Sequence, residues 1–253
     1  MKTVLILGSA PDAVSAQLFD LDRVNALVAL NNAWSIRPDW THAIFPEDFP
    51  AQRRPTPRSN QVLVTFEQYV PANNAYGGII YAGPTMAFTA AYWALHQLEP
   101  DLLLFCGCDM IYDRINGQSH FYGKGAADPL RSDPTLQSLE AKSNRLMILA
   151  AEQSCACANL SDLPASRLTF PRFDSNSLET VCETDQQRLL HQIDGRLSAE
   201  QIKAARASED HAALIHPAGD YWNSDLDLDS AVLQAIDTLW LQAAKSQSDD
   251  VIS

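Results

Sequence analysis

The chain has 253 residues, 46% of them hydrophobic, enough to bury one large core and too many for a disordered chain. Its 31 acidic residues against 18 lysines and arginines give a net charge of -13, which excludes a broad electrostatic surface for nucleic acid or anionic lipid. A small anionic ligand stays compatible with that balance, because a few local donors outweigh a mildly repulsive field.

The opening M-K-T-V-L-I-L-G is too short in its apolar stretch for a signal peptide and meets Asp12 early, so it reads as the first β-strand of a cytoplasmic protein. No apolar window reaches the length of a membrane span. Further apolar runs stand at 26–30, 42–45, 62–66, 78–82, 102–106 and 155–160. Several are apolar throughout, the form expected of strands covered on both faces. Pro84 suits the first turn of a helix continuing through M-A-F-T-A-A-Y-W-A-L-H-Q-L, so 78–82, this helix and 102–106 read as a β-α-β unit.

A second long helix is expected over 134–153, with Leu136, Leu139, Leu146, Met147 and Ala150 on its apolar face. Beyond Phe173 the strand signal stops, and helical segments follow at about 178–192, 198–208 and 229–246, before a frayed S-Q-S-D-D-V-I-S. The chain therefore reads as α/β, with a doubly wound, mostly parallel sheet in residues 1–172. Residues 173–253 form a helical C-terminal extension that packs on the sheet or on a second copy of the chain, the latter making a homo-oligomer.

Ligands of such sheets bind beyond the carboxyl ends of the strands. The first strand ends in Gly8-Ser9-Ala10-Pro11-Asp12, where backbone N–H groups at a helix start would face a phosphate. It is neither G-x-G-x-x-G nor a P-loop. The second strand ends in Asn31 and Asn32, whose amides donate and accept at once. The third ends in Phe45-Pro46-Glu47-Asp48, and Gly83, in the turn Gly83-Pro84-Thr85, is placed over the same crevice.

Another strand end leads into the stretch C-G-C-D-M-I-Y-D-R-I-N-G-Q-S-H-F-Y-G-K-G at 106–125. There His120, with an ordinary pKa near ~6.5, suits taking a proton from a hydroxyl. Tyr112 and Tyr122 can donate to phosphate oxygens, and Arg114, Lys124 and Arg131 bring local positive charge. Residues 107–133 read as a lid that excludes water.

Other residues read as structural. Cys106, Cys108, Cys155, Cys157 and Cys182 are taken as packing thiols and not as a metal site. Asp225-Leu-Asp227-Leu-Asp229 lacks the glycine and glutamate of a calcium loop, leaving Asp229 or Ser230 as a helix N-cap. His42, His96, His191, His211 and His216 are likewise read as structural.

The series V-L-I-L-G-S-A-P, A-L-N-N-A-W, A-I-F-P-E-D-F, A-G-P-T-M-A-F-T-A-A-Y-W-A-L, L-L-L-F-C-G-C-D-M, S-H-F-Y-G and C-A-C-A-N-L-S resembles the bacterial sialyltransferases of glycosyltransferase family 42 over about residues 1–165. That family has a Rossmann-like fold, a G-x-G-P-S type first turn, a G-x-D-[FM] strand end and an S-H-[FY] histidine. The resemblance implies transfer of an acidic sugar from a CMP-linked donor to a glycan hydroxyl, with inversion and with no obligatory metal or other cofactor.

Through it, His120 becomes the general base and Tyr112 the donor to the departing phosphate. Gly8, Ser9, Asn31, Asn32, Gly83, Thr85 and Asp109 become nucleotide contacts, with Arg114, Tyr122 and Lys124 at the phosphate or in the lid. Ser9 and Ala10 stand where the family prefers asparagine and glycine, Ala82 stands where a serine is expected, and the family's basic C-terminus is replaced by an acidic helical segment. The alternatives are a non-catalytic nucleotide-binding protein and a magnesium-dependent enzyme like the pterin pyrophosphokinases.

Overall fold

The computed structural model describes residues 1–83, 85–111, 120–123, 138–221 and 228–245. Among them, β1 (Thr3–Leu7), β2 (Ala26–Leu30) and β5 (Leu102–Cys106) occupy their apolar runs residue for residue. Every residue of the three is buried, which is why none alternates with polar residues. β3 (His42–Ile44), β4 (Val62–Val64) and β6 (Ala156–Asn159) are shorter than their runs. All neighbours pair in parallel, in the order β4-β3-β2-β1-β5-β6. The winding reverses between β1 and β5, so the crevice of this α/β, Rossmann-like sheet opens at the carboxyl ends of those two strands.

The helices are α1 (Phe66–Asn74), α2 (Ile79–Ala82), α3 (Met86–Gln97), α4 (Leu139–Glu152), α5 (Glu183–Asp194), α6 (Ala199–Ala212) and α7 (Ser230–Ala243). On one sheet face Tyr69 of α1, Phe88, Tyr92 and Trp93 of α3, and Leu146 and Met147 of α4 pack on Val4, Ile6, Val28 and Phe105. The other face is covered more thinly. Its cover is Ala13 and Ala16 in a 3-10 segment (Pro11–Leu18), Ala33 in a second (Asn31–Ser35), and then Phe173, Leu178, Val181 and Leu189.

A third cluster joins Ala141 and Ile148 of α4 and Ile80 and Tyr81 of α2 to Leu233, Ile236 and Trp240 of α7. The last helix thus buries its apolar stripe within its own chain. No helix among the described residues is long and apolar enough to cross a membrane.

Four expectations change. The run at 78–82 is no strand: Ile79–Ala82 is the helical turn α2, entered through Gly77 and Gly78 at φ 97° and 89°. A short apolar run serves a buried helical turn as well as a strand, and here Ile80 and Tyr81 face the C-terminal helices instead of the sheet. The crossover into β5 therefore starts from edge strand β4 and runs through α1, α2 and α3.

The run at 62–66 stops at Val64, because Thr65 caps α1 in a reciprocal box with Gln68, whose Oε1 accepts the Thr65 N–H at 3.0 Å. After β1 the chain enters a 3-10 segment and no α-helix, with Ala10 as an N-cap that has no side-chain cap bond.

The helix expected at 134–153 is α4, residues 134–137 lying outside the described set. The segment expected at 178–192 divides into a 3-10 turn (Ser175–Thr180) and α5, separated by the cap Cys182. Asp229 caps α7, accepting the Ala231 N–H at 2.8 Å. The frayed end expected from Ser246 lies outside the described residues.

Candidate functional site

The turn after β1 is sewn to the end of β5. Gly8 N–H donates to Cys106 O at 2.8 Å and Ala10 N–H to Gly107 O at 3.1 Å. The contact is so close that a Cβ on Gly8 would stand 2.2 Å from Gly107 O, and one on Gly107 2.4 Å from Ala13 Cβ. Gly107 also has φ +66°, a region costly for any residue with a Cβ. Gly8→Ala should therefore lower stability by about 1–3 kcal/mol through overpacking, read as a shift in the urea midpoint. An unchanged midpoint would mean that the two strand ends can part.

The same sewing alters the turn's expected role. Two of its N–H groups are engaged by Cys106 and Gly107, and the segment that follows carries Asp12 in its first turn. Negative charge there works against a bare phosphate.

His120 sits over this turn. Phe121 N–H donates to Ser9 O at 3.0 Å, and His120 and Gly123 exchange two backbone hydrogen bonds of 3.0 Å. Tyr122 is exposed and its ring stacks on the His120 ring, with centroids 5.0 Å apart. His120 is half-buried, and burial pushes its imidazole below the ordinary value, so the neutral, proton-accepting form dominates at pH 7.

At the β5 end the chain passes through Gly107 (φ 66°) and Met110 (φ 54°), with Asp109 between them only 1% exposed. The start of the segment read as a lid is thus the buried floor of the crevice. Left-handed backbone at a methionine is strained by about 1 kcal/mol or more. Thr85, the N-cap of α3, donates to Met110 Sδ at 3.7 Å and so brings the α3 start to the same floor.

Asn31 opens the 3-10 segment after β2 at φ 52°, with its Oδ1 buried and unpartnered among the described residues, and Asn32 is half-buried beside it. Gly83 is held from the other side: its carbonyl accepts Thr89 Oγ1 at 3.0 Å, and a Cβ would meet Asn73 Oδ1 at 2.8 Å. Tyr112, Arg114, Lys124 and Arg131 lie outside the described residues, as does most of the expected lid.

A cluster around the buried carboxylate escaped sequence reasoning. Asn159, the last residue of β6, donates through Nδ2 to Asp109 Oδ1 at 2.9 Å and to Ser166 Oγ at 3.1 Å. Its Oδ1 accepts the Ser161 N–H at 3.1 Å, and Ser161 Oγ donates to Asp12 Oδ2 at 3.3 Å. Arg172 approaches Asp109 Oδ1 at 3.8 Å while donating to the carbonyls of Ser161 and Leu163. Burial, and after it the neighbouring Asp109 carboxylate, push the Asp12 carboxyl above its usual range. The strand-end rule that singled out Asn31 applies equally to Asn159, the signal that was available.

The thiols of Cys106, Cys108, Cys155 and Cys157 are buried, and Cys182 is exposed. Burial pushes the Cys106 thiol up to about 12, which leaves it unreactive. His42 lies on β3 with its ring edge-on to Trp93 at 5.1 Å.

The chain matches no protein-family model, no curated protein and no solved structure.

Proposed function

We propose that the chain is a nucleotide-sugar glycosyltransferase of the sialyltransferase type, moving an acidic sugar from a CMP-linked donor to a glycan hydroxyl with His120 as general base. The observation that carries the reading is the Phe121 N–H bond to Ser9 O, which fixes the segment bearing His120 over the switch point of the sheet. A base must lie within reach of the proton it takes and be unprotonated beforehand. The crevice is where doubly wound sheets seat their ligands, and His120 has burial on its side.

In this scheme the acceptor hydroxyl gives its proton to the imidazole as its oxygen attacks the anomeric carbon. The bond from that carbon to the CMP phosphate breaks, and the phosphate leaves with the electron pair. The transition state has oxocarbenium character, so donors around the leaving phosphate raise the rate; Tyr112 is assigned that task. Asn31 Oδ1, a buried acceptor with no partner among the described residues, is suited to an amino or hydroxyl donor of the nucleoside.

Isothermal titration of the full chain with CMP, once with magnesium and once with EDTA, tests the reading. Binding is expected, with tighter affinity for CMP than for AMP, GMP or UMP. No heat of binding at millimolar CMP in either buffer removes the proposal.

A further inference from the structure

The proposed transfer gives no work to Asp12, and gives Asp109 only the nucleotide contact that the resemblance implies. Asp109 is only 1% exposed, and while its Oδ1 has Asn159 and Arg172, its Oδ2 is fully buried with no hydrogen-bond partner among the described residues. Asp12 repeats the pattern, with Oδ2 accepting from Ser161 and Oδ1 buried without a partner among the described residues. Ser161 and Asn159 tie the two carboxylates together through three hydrogen bonds: Ser161 Oγ to Asp12, Ser161 N–H to Asn159 Oδ1, and Asn159 Nδ2 to Asp109.

Leaving a buried acceptor unmade costs about 1–3 kcal/mol, and more when it is charged. Arg172 bonds to neither orphaned oxygen: its Nη groups donate to the carbonyls of Ser161 and Leu163, and its approach to the pair is to Asp109 Oδ1, at 3.8 Å.

The structure assigns a ligand to this pair: we infer that Asp12 Oδ1 and Asp109 Oδ2 hold a divalent cation of the magnesium or manganese class. Hard carboxylate oxygens match such an ion, which is commonly bound by one or two carboxylates, with water and a ligand's phosphate completing the shell. The position fits the chemistry of the turn. The N–H groups of Gly8 and Ala10 are engaged by Cys106 and Gly107, and Asp12 and Asp109 together would repel a phosphate. A dication reverses that sign. Asp12 stands where the G-x-G-P-S type of turn has serine, so the second carboxylate belongs to this chain and not to the pattern it resembles.

The inference stands apart from the transferase reading, because it is read on the protein alone. Full-length protein stripped with EDTA is titrated with Mn²⁺, free Mn²⁺ is followed by its electron paramagnetic resonance signal, and Mg²⁺ is added as competitor. About one Mn²⁺ per chain is expected, displaced by Mg²⁺, with affinity weakened by roughly tenfold or more in Asp12→Asn and in Asp109→Asn.

Asp109→Asn loses a buried carboxylate that holds Asn159, so Asp12→Asn, with one serine bond to keep, serves as the variant whose fold is checked by circular dichroism. No Mn²⁺ retained at millimolar concentration, or equal retention by folded Asp12→Asn and the unchanged chain, overturns the assignment. CMP binding in EDTA alone would leave the transferase reading standing while the Mn²⁺ result decides this one.

Discussion

Glu209→Ala is expected to cost the fold about 3–5 kcal/mol, because it leaves the Arg145 guanidinium buried without its counter-charge. Arg145, on α4, is 4% exposed. Its Nε and Nη2 donate to the two Glu209 oxygens at 2.7 and 2.8 Å, its Nη1 to Tyr92 Oη at 2.8 Å, and its Nη2 also to Tyr76 O. Glu209 accepts a further bond from Trp240 Nε1 of α7. One carboxylate of α6 thus satisfies cations and donors from both α4 and α7, and its removal orphans two buried groups at once.

Beside it, Lys142 donates to Asp237 Oδ1 at 3.0 Å, and Tyr81 of α2 donates to the same oxygen at 2.5 Å. Burial pushes the Lys142 amine below its ordinary value. Urea denaturation measures the loss. Arg145→Met combined with Glu209→Leu should recover the part due to the unpaired buried charge, and not the part due to Trp240 Nε1, which still lacks its acceptor. A Glu209→Ala loss below about 1 kcal/mol would mean that water reaches Arg145 and the pair behaves as a surface bridge.

This network also marks where sequence reasoning reached its limit. The runs that became β1, β2 and β5 could be read because five consecutive apolar residues have few other fates when both sheet faces are covered. α4 was legible from its Leu139, Leu146, Met147 and Ala150 stripe. Its Lys142, Asn144 and Arg145 are nonetheless buried, because their partners arrive from much later in the chain. Glu209 is 64 residues from Arg145 and Asp237 is 95 from Lys142, separations at which no local period carries a signal.

The run at 78–82 failed for a related reason. Its apolar side chains were recognised correctly as core, but the partner that decides between strand and helical turn is a set of helices not yet traversed by the chain. By contrast, the end of β4 was legible and overlooked, since T-F-E-Q at 65–68 is a capping box written in four adjacent letters. At the site, Gly8, Ser9 and His120 were chosen by their place after strand ends, and Thr85 and Asp109 through the family resemblance; Phe121 N–H bonds to Ser9 O, and Thr85 bonds to Met110, the residue after Asp109. The Asp12–Ser161–Asn159–Asp109 chain was beyond that rule alone, because it depends on β6 standing next to β5 in the sheet.

His120→Ala is the change expected to cost most in turnover: a loss of about 10²-fold or more in kcat with CMP affinity unchanged, if the imidazole takes the acceptor proton. Its pH dependence separates this role from a structural one. Burial holds the folded pKa of His120 below its ordinary 6.5. The neutral base is therefore present throughout the neutral range and is lost only as the pH falls through that depressed value. The rate of CMP release from the donor should then be flat at pH 7 and decline on an acid limb beginning below 6.5, and His120→Ala should lack the limb while retaining a low, pH-independent rate.

Stability follows the same sign. A folded state that disfavours the charged imidazole loses stability as the pH falls from the unfolded pKa through the folded one, so unfolding must be monitored over the same range to keep the two effects apart. His120→Gln tests the remaining option. It preserves the shape and one acceptor of the segment docked on Ser9, so a purely structural histidine would be rescued by it and a general base would not. Equal turnover in the parent and His120→Gln would remove His120 from the chemistry and leave only its place over the crevice.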